Sequence, residues 1–215
     1  MDAHVAAIAL GPDGRAQGVT LADGGMVRAS TVVVAVEAPA AQTLLAPIDA
    51  ECAARLGVTA AGVTTLVYAM DRSFHRGRTI VLNAAPGALR PRVDLVCQES
   101  NLTRPSDDGP YVLLATSVHD GGEGPDVSAL EGEMARIAGR WNPGFDWGRH
   151  ARLAEVVVHD FAQFRVPPGV RRNLPGVRTR VPNVMLAGDV THHPSLEGAV
   201  LSGNSAADIV SELVV

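Results

Sequence analysis

The sequence predicts a mixed α/β fold, α+β in its middle section, and three observations carry that expectation. The run Thr31-Val32-Val33-Val34-Ala35 is unbroken and apolar, as a strand covered on both faces of an α/β sheet should be. Near the C-terminus Asn183-Val184-Met185-Leu186-Ala187 reads as a second short buried strand, followed by a small-residue helix over 198–214. Between the two lie isolated β-type segments and one amphipathic helix, the texture of an antiparallel sheet with a covering helix. The chain thus leaves an α/β sheet, makes a β-rich excursion and returns, with expected sections 1–46, 47–180 and 181–215.

Each element has a local reason. HVAAIAL at 4–10 is apolar and rich in β-formers, Gly11-Pro12-Asp13-Gly14 supplies a turn, and Gly18-Val19-Thr20-Leu21 resumes the strand pattern as a hairpin. A second turn at Ala22-Asp23-Gly24-Gly25 leads to Met26-Val27-Arg28-Ala29, which extends the hairpin to a three-stranded meander. A helix is expected over 39–45. Strands follow at 64–70, 92–97, 111–118 and 154–160. The helix over 127–141 has Asp126 and Ser128 as caps, Glu131 and Glu133 in its early turns, and Asn142-Pro143-Gly144 as its stop. Its Leu130, Met134, Ile137 and Trp141 recur at helical spacing and should form the covered face.

Composition narrows the function classes. In 215 residues, 47% are hydrophobic and 19% charged, the latter below the ~25% typical of soluble domains, so a sizeable core is expected. Net charge is −5, and the basic residues, all arginine, form no run able to track a phosphate backbone, which argues against a nucleic-acid partner. The only cysteines, Cys52 and Cys97, lie far apart with no CxxC or Cys/His cluster, so they read as small apolar fillers in a cytoplasmic protein, with no metal site. No apolar run approaches the ~20 residues of a membrane span, and Met1-Asp2 opens no targeting segment.

Chemistry concentrates at the C-terminal strand end, where ligands of open α/β sheets bind. Gly188 removes a side chain where a ligand would approach, and Asp189 offers a carboxylate to sugar-type hydroxyls. A few residues on, Gly198 and Ala199 should open a helix whose free N–H groups and positive dipole end face the same ligand.

The stretch NVMLAGDVTHHPSLEGAVLSGNSAADIV resembles the C-terminal FAD motif of the flavin amine oxidase superfamily, and its SLEGAVLSG part is especially similar to plant-type phytoene and ζ-carotene desaturases. The opening HVAAIALGPDGRAQGVTLADGGMVRASTVVVAV is similar to that family's meander and following strand. TTLVYAMDRSF, the stretch around QESNLTRP, and HDFAQFRVPPG extend the resemblance into its substrate domain. The resemblance implies a partial FAD-binding, Rossmann-type domain with an inserted antiparallel substrate domain. It makes Val5 a backbone contact to adenine, Gly188 and Asp189 the ribityl-contacting turn, and Glu197, Gly198, Ala199 and Val200 the segment facing the isoalloxazine. The implied reaction is hydride removal from a small apolar or amine substrate to the flavin, with a lean toward desaturation.

One family feature is missing from these 215 residues. No GxGxxG occurs, and Gly121-Gly122-Glu123-Gly124 has neither its spacing nor a following helix. The expectation is therefore a C-terminal half. FAD binding would need a complementing polypeptide that carries the GxGxxG. Alternatively the chain is a truncated product or fragment, or a remnant or non-catalytic partner subunit that no longer binds FAD. An exposed sheet edge would then favour a partner or a homodimer.

Other polar residues read more plainly. His192-His193 are adjacent, so their side chains diverge and suit a loop beside the flavin rather than a metal. His159-Asp160, Asp146 and the pair Asp107-Asp108 read as strand-end, loop and turn residues, and Trp141 and Trp147 as core or cover. Ser195 and Ser202 lie in no GxSxG elbow, so hydrolase chemistry has no support. The motifs assign no catalytic residue.

Overall fold

The computed structural model describes residues 3–84, 92–103, 109–120, 122 and 124–214. It divides into two compact units: Ala60–Gln163 forms the second, and the residues before and after it form the first. Residues 47–59 and 164–180 pack with the first unit, outside the compact part of the expected middle section. The cause is local. Asp49, buried between the first two helices, accepts the N–H of Cys52 at 3.0 Å and that of Arg180 at 2.7 Å, so the helical turn and the returning chain are fastened together.

The first unit opens with the antiparallel meander β1 (Val5–Leu10), β2 (Ala16–Leu21) and β3 (Met26–Arg28). At Gly18, with φ +139°, a Cβ would overlap the carbonyl oxygen of Val27, so only glycine lets β2 and β3 approach this closely. Strand β4 (Val32–Val34) precedes helices α1 (Ala38–Leu45) and α2 (Ala50–Arg55), which bury Ala41, Leu45, Cys52 and Ala53.

The second unit is a five-stranded sheet ordered β6-β7-β8-β5-β9, formed by β5 (Ala60–Met70), β6 (Ile80–Leu82), β7 (Leu95–Cys97), β8 (Tyr111–Asp120) and β9 (Ala151–Phe164). Strands β5 and β8 pair antiparallel over ten residues, from Ala61 opposite Asp120 to Met70 opposite Tyr111. Period-two alternation sends Leu66, Tyr68, Met70, Leu113 and Ala115 to one face. Helix α3 (Val127–Trp141) covers that face with Leu130, Met134, Ile137 and Ala138. Asp126 caps α3 by accepting the N–H groups of Ser128 and Ala129. Trp141, expected on the covered face, is 38% exposed, because the packed stripe ends one turn earlier at Ala138. A short helix α4 (Trp147–His150), capped by Asp146, places Trp147 edge-on to Tyr68 with ring centroids 4.8 Å apart. The opposite sheet face carries half-buried Val63, Val67, Leu95, Val112 and Leu114, and the Thr65 and Thr116 hydroxyls meet there at 2.9 Å.

The chain returns through β10 (Val184–Leu186), which pairs parallel with β4 in a two-stranded sheet, and ends in α5 (Leu196–Val214). The β4 expectation needs correction. Val34 is buried, but Val33 is 43% exposed, so among the described residues the strand is covered on one face only. The expectation for α5 shifts too: the helix begins at Leu196, two residues before Gly198. Asp107-Asp108 and two residues of the Gly121–Gly124 stretch lie outside the described residues.

Asn183 holds the returning chain in register. Fully buried, it accepts the Ala16 N–H at 2.9 Å, and its amide donates to the carbonyls of Ala16 and Ser30. Its own carbonyl accepts the N–H of Val32 at 3.0 Å. One side chain thus joins the meander to the parallel pair.

Candidate functional site

The Asp189 turn is built where β10 ends. The Ala187 N–H still donates to Val34 at 2.9 Å, and the chain then breaks away at Gly188, whose φ of +153° and ψ of +166° belong to a region essentially reserved for glycine. A single 3₁₀ turn, Asp189–Thr191, follows. The N–H groups of Thr191 and His192 donate to the carbonyls of Gly188 and Asp189, so the turn closes on itself. Among the described residues no protein group bonds the half-buried Asp189 carboxylate, which leaves its lone pairs for a ligand.

Ser195 caps α5. Its hydroxyl accepts the Gly198 N–H at 3.0 Å and its carbonyl accepts that of Ala199 at 3.1 Å. The N–H groups of Leu196 and Glu197, in the first turn, have no intrahelical acceptor available to them and bond nothing else among the described residues, so a 19-residue helix presents two free donors and its positive dipole end. Gly198 is the hinge of this packing. A Cβ there would overlap the carbonyl oxygen of His193, so no other residue lets the helix lie against the His193 loop.

Helix α5 buries Gly198, Ser202, Ala206 and Ile209, a stripe at intervals of four, four and three residues. The last two pack on Met185 and Ala187 of the strand end. Ser202, completely buried, accepts the Gly188 N–H at 2.9 Å and lies 2.7 Å from the Thr191 hydroxyl. The outward face is apolar, with Leu196 89% and Val200 61% exposed.

Of the residues singled out from the sequence, Gly188, Asp189, Glu197, Gly198, Ala199 and Val200 therefore sit on one turn-and-helix assembly. Val5 sits elsewhere, at the start of β1 opposite Leu21, beside an irregularity in the ladder between Val5 and Ala7. Asn183, Thr191 and Ser202 were not singled out as site residues. The stripe Gly198, Ser202, Ala206 at four-residue spacing was the available signal, since small residues in register mark a close approach. The histidines use their Nδ1 atoms locally, His192 with Thr191 at 2.9 Å and His193 with Ser195 at 2.8 Å.

Two other groups serve the fold. Gln98 and Asn101 of the QESN stretch staple the 73–77 loop: Gln98 accepts the N–H groups of Phe74 and His75, and Asn101 donates to His75 and Gly77. Cys52 and Cys97 are free and buried, and burial raises both thiol pKa values, with nearby Asp49 and Glu99 next in weight. Among the described residues no cluster of three or more His, Cys, Asp or Glu is placed to hold a metal, and no helix is long and apolar enough to cross a membrane.

The assembly combines a free carboxylate, two helix-end donors and an apolar surface, a donor set that fits a flavin's hydroxylated chain, its electron-rich ring edge and its flat ring. Comparison with known proteins bears on the fold and the family. No curated protein matches the chain. Among solved structures, an oxidoreductase from Methanosarcina mazei is similar at TM-score 0.63 and 16% identity, with 96% of this chain and 49% of that one covered. A protein named as a candidate protoporphyrinogen oxidase from Exiguobacterium sp. 255-15 is similar at TM-score 0.63 and 19% identity, with coverage of 97% and 46%. The chain spans about half the length of these structures, and the likeness is one of fold. A family profile described as flavin containing amine oxidoreductase matches residues 1–211, and the chain belongs to that family.

Proposed function

We propose that this chain forms the flavin-ring side of an FAD-dependent oxidoreductase of the desaturase, dehydrogenase or amine oxidase type. The observation that carries the reading is the Asp189 carboxylate, without a protein partner among the described residues and presented on a glycine-only turn beside the open end of α5. In this reading the first unit is part of a Rossmann-type FAD-binding domain and the antiparallel sheet is the substrate domain.

Asp189 accepts hydrogen bonds from the ribityl hydroxyls. The Leu196 and Glu197 N–H groups face the ring edge that gains negative charge on reduction, and Gly198, Ala199 and Val200 complete the wall. The Val5 backbone faces the adenine. The flavin, when bound, supplies the hydride acceptor; the protein supplies position, electrostatics and exclusion of water. The apolar patch formed on one sheet face by Val67, Val112 and Leu114 supports an apolar or amine substrate. Residues outside this chain supply the GxGxxG cradle for the pyrophosphate, and the exposed Val33 and Leu196 support additional covering material. Two buried free thiols suit a cytoplasmic setting.

The test is a titration with FAD, followed by flavin fluorescence, of the protein together with the polypeptide that supplies the cradle. Asp189→Asn keeps the shape and removes the charge. Losing a charge-assisted hydrogen bond of about 1.5–3 kcal/mol should weaken FAD roughly 10–100-fold. Equal affinity of variant and wild type would contradict the assignment.

A further inference from the structure

The hydroxyls behind Asp189 carry more information than their distances, because each has only one proton to give. Four short contacts meet at Thr191 Oγ1 and Ser202 Oγ: the Gly188 N–H lies 2.9 Å from Ser202 Oγ, Ser202 Oγ 2.7 Å from Thr191 Oγ1, and Thr191 Oγ1 3.0 Å from the Gly188 carbonyl and 2.9 Å from His192 Nδ1. The contact between the two hydroxyls has donor geometry in one direction, from Thr191 to Ser202, so the fully buried Ser202 oxygen accepts from Thr191 as well as from the Gly188 N–H. The single Thr191 proton is therefore directed at the Ser202 and Gly188 oxygens, 2.7 and 3.0 Å away. None is left for His192, so their 2.9 Å contact has a proton only if His192 Nδ1 carries one and donates it.

The geometry points to a closed ring of contacts, the Gly188 N–H to Ser202, Thr191 to Ser202 and Thr191 to the Gly188 carbonyl, that positions Asp189 and locks neutral His192 as the Nδ1–H tautomer. The ring holds both peptide groups flanking Gly188, one through its N–H and the other through its C=O. Backbone rotation at the glycine, which has no Cβ to restrain it, would otherwise swing the Asp189 carboxylate. Thr191 and Ser202 are thus positioning residues, acting on a ligand through Asp189. A second consequence follows for His192: its Nε2 is left as an unprotonated acceptor on the same wall. The role toward flavin rests on the function proposed above, whereas the ring and the tautomer stand apart from it.

Nitrogen NMR of the flavin-free 215-residue chain reads the tautomer, and hydrogen exchange reads the Gly188 amide. Wild type and Thr191→Ser should show neutral His192 protonated at Nδ1, and Thr191→Val should lose that preference. Ser202→Ala should speed exchange of the Gly188 amide. With the cradle polypeptide present, Thr191→Val should weaken FAD about tenfold and Thr191→Ser should restore it. An Nε2–H tautomer in the wild type, or unchanged exchange in Ser202→Ala, would overturn the ring. If FAD affinity were identical in Thr191→Val and wild type while the tautomer changed, the positioning role would fall. Wild type that binds no flavin would instead overturn the proposed function, and the tautomer and exchange would still decide the ring.

Discussion

Helices α3 and α5 are both laid against strands, yet they spend their side chains in opposite ways. Helix α3 turns Leu130, Met134 and Ile137 inward against the β5–β8 sheet and, Glu133 and Ala138 aside, leaves charged and small residues outside. Helix α5 turns Gly198, Ser202 and Ala206 inward and leaves Leu196, Val200 and Leu201 outside. Large residues inside maximise buried apolar area, which is how a domain core is stabilised. Small residues inside do something else: they bring helix backbone and hydroxyl close enough to bond the Gly188 turn. The contrast separates a helix selected for cover from one selected for close approach, with an apolar face left exposed.

Substitutions on the two helices sharpen this contrast. Met134→Ala empties a fully buried position in α3 and should cost about 2–5 kcal/mol in denaturant unfolding of the second unit. A much smaller loss would mean that the core can collapse around the gap. Gly198→Ala adds one methyl group that meets the His193 backbone, and an overpacking loss of roughly 1–3 kcal/mol is expected by thermal melting. The same change at Gly203, where a Cβ meets nothing within 4 Å, should stabilise or leave the protein unchanged, which makes it the control.

Tyr68, inside the covered face, gives a smaller effect with a pH signature. Its hydroxyl is buried without a hydrogen-bond partner among the described residues, and burial, with Glu131 secondary, pushes its pKa above the usual tyrosine value. The folded state therefore keeps a proton that the unfolded chain releases once the pH exceeds about 10. Stability is complete below that pH and falls as the pH rises through it. Tyr68→Phe should add about 1 kcal/mol at neutral pH and flatten the alkaline loss, measured by urea unfolding across pH. At the low end, Val200→Ser on the outer face of α5 should change stability by no more than ~0.5 kcal/mol. A large loss there would show that Val200 is packed by the chain itself.

Much of the fold was legible, for physical reasons that differ by element. The meander, β10 and α3 announced themselves through Gly-Asp turns, apolar runs and a capped 3.6-residue period, all of them local signals. Strand β6 did not, because Ile80–Leu82 is three residues long and is fixed by pairing with Leu95–Cys97. Helix α2 was missed because six residues with an Asp49 cap make a weak pattern, and its place depends on Arg180, far along the chain. In the candidate site, Gly188, Asp189 and Gly198 were legible by motif. Ser202 and Thr191 were not, because a hydroxyl's partner depends on which backbone the fold brings within 3 Å. Asn183 likewise looked like a strand residue until its amide was seen bonding Ala16 and Ser30.

The central claim is that this chain supplies one wall of a flavin site. Its most direct test is the absorbance spectrum of the protein purified together with the polypeptide that carries the GxGxxG cradle, beside an Asp189→Ala preparation made in the same way. A flavin spectrum in the first, strongly reduced in the second, is the result predicted here. A colourless wild-type complex that stays colourless after incubation with FAD would contradict it.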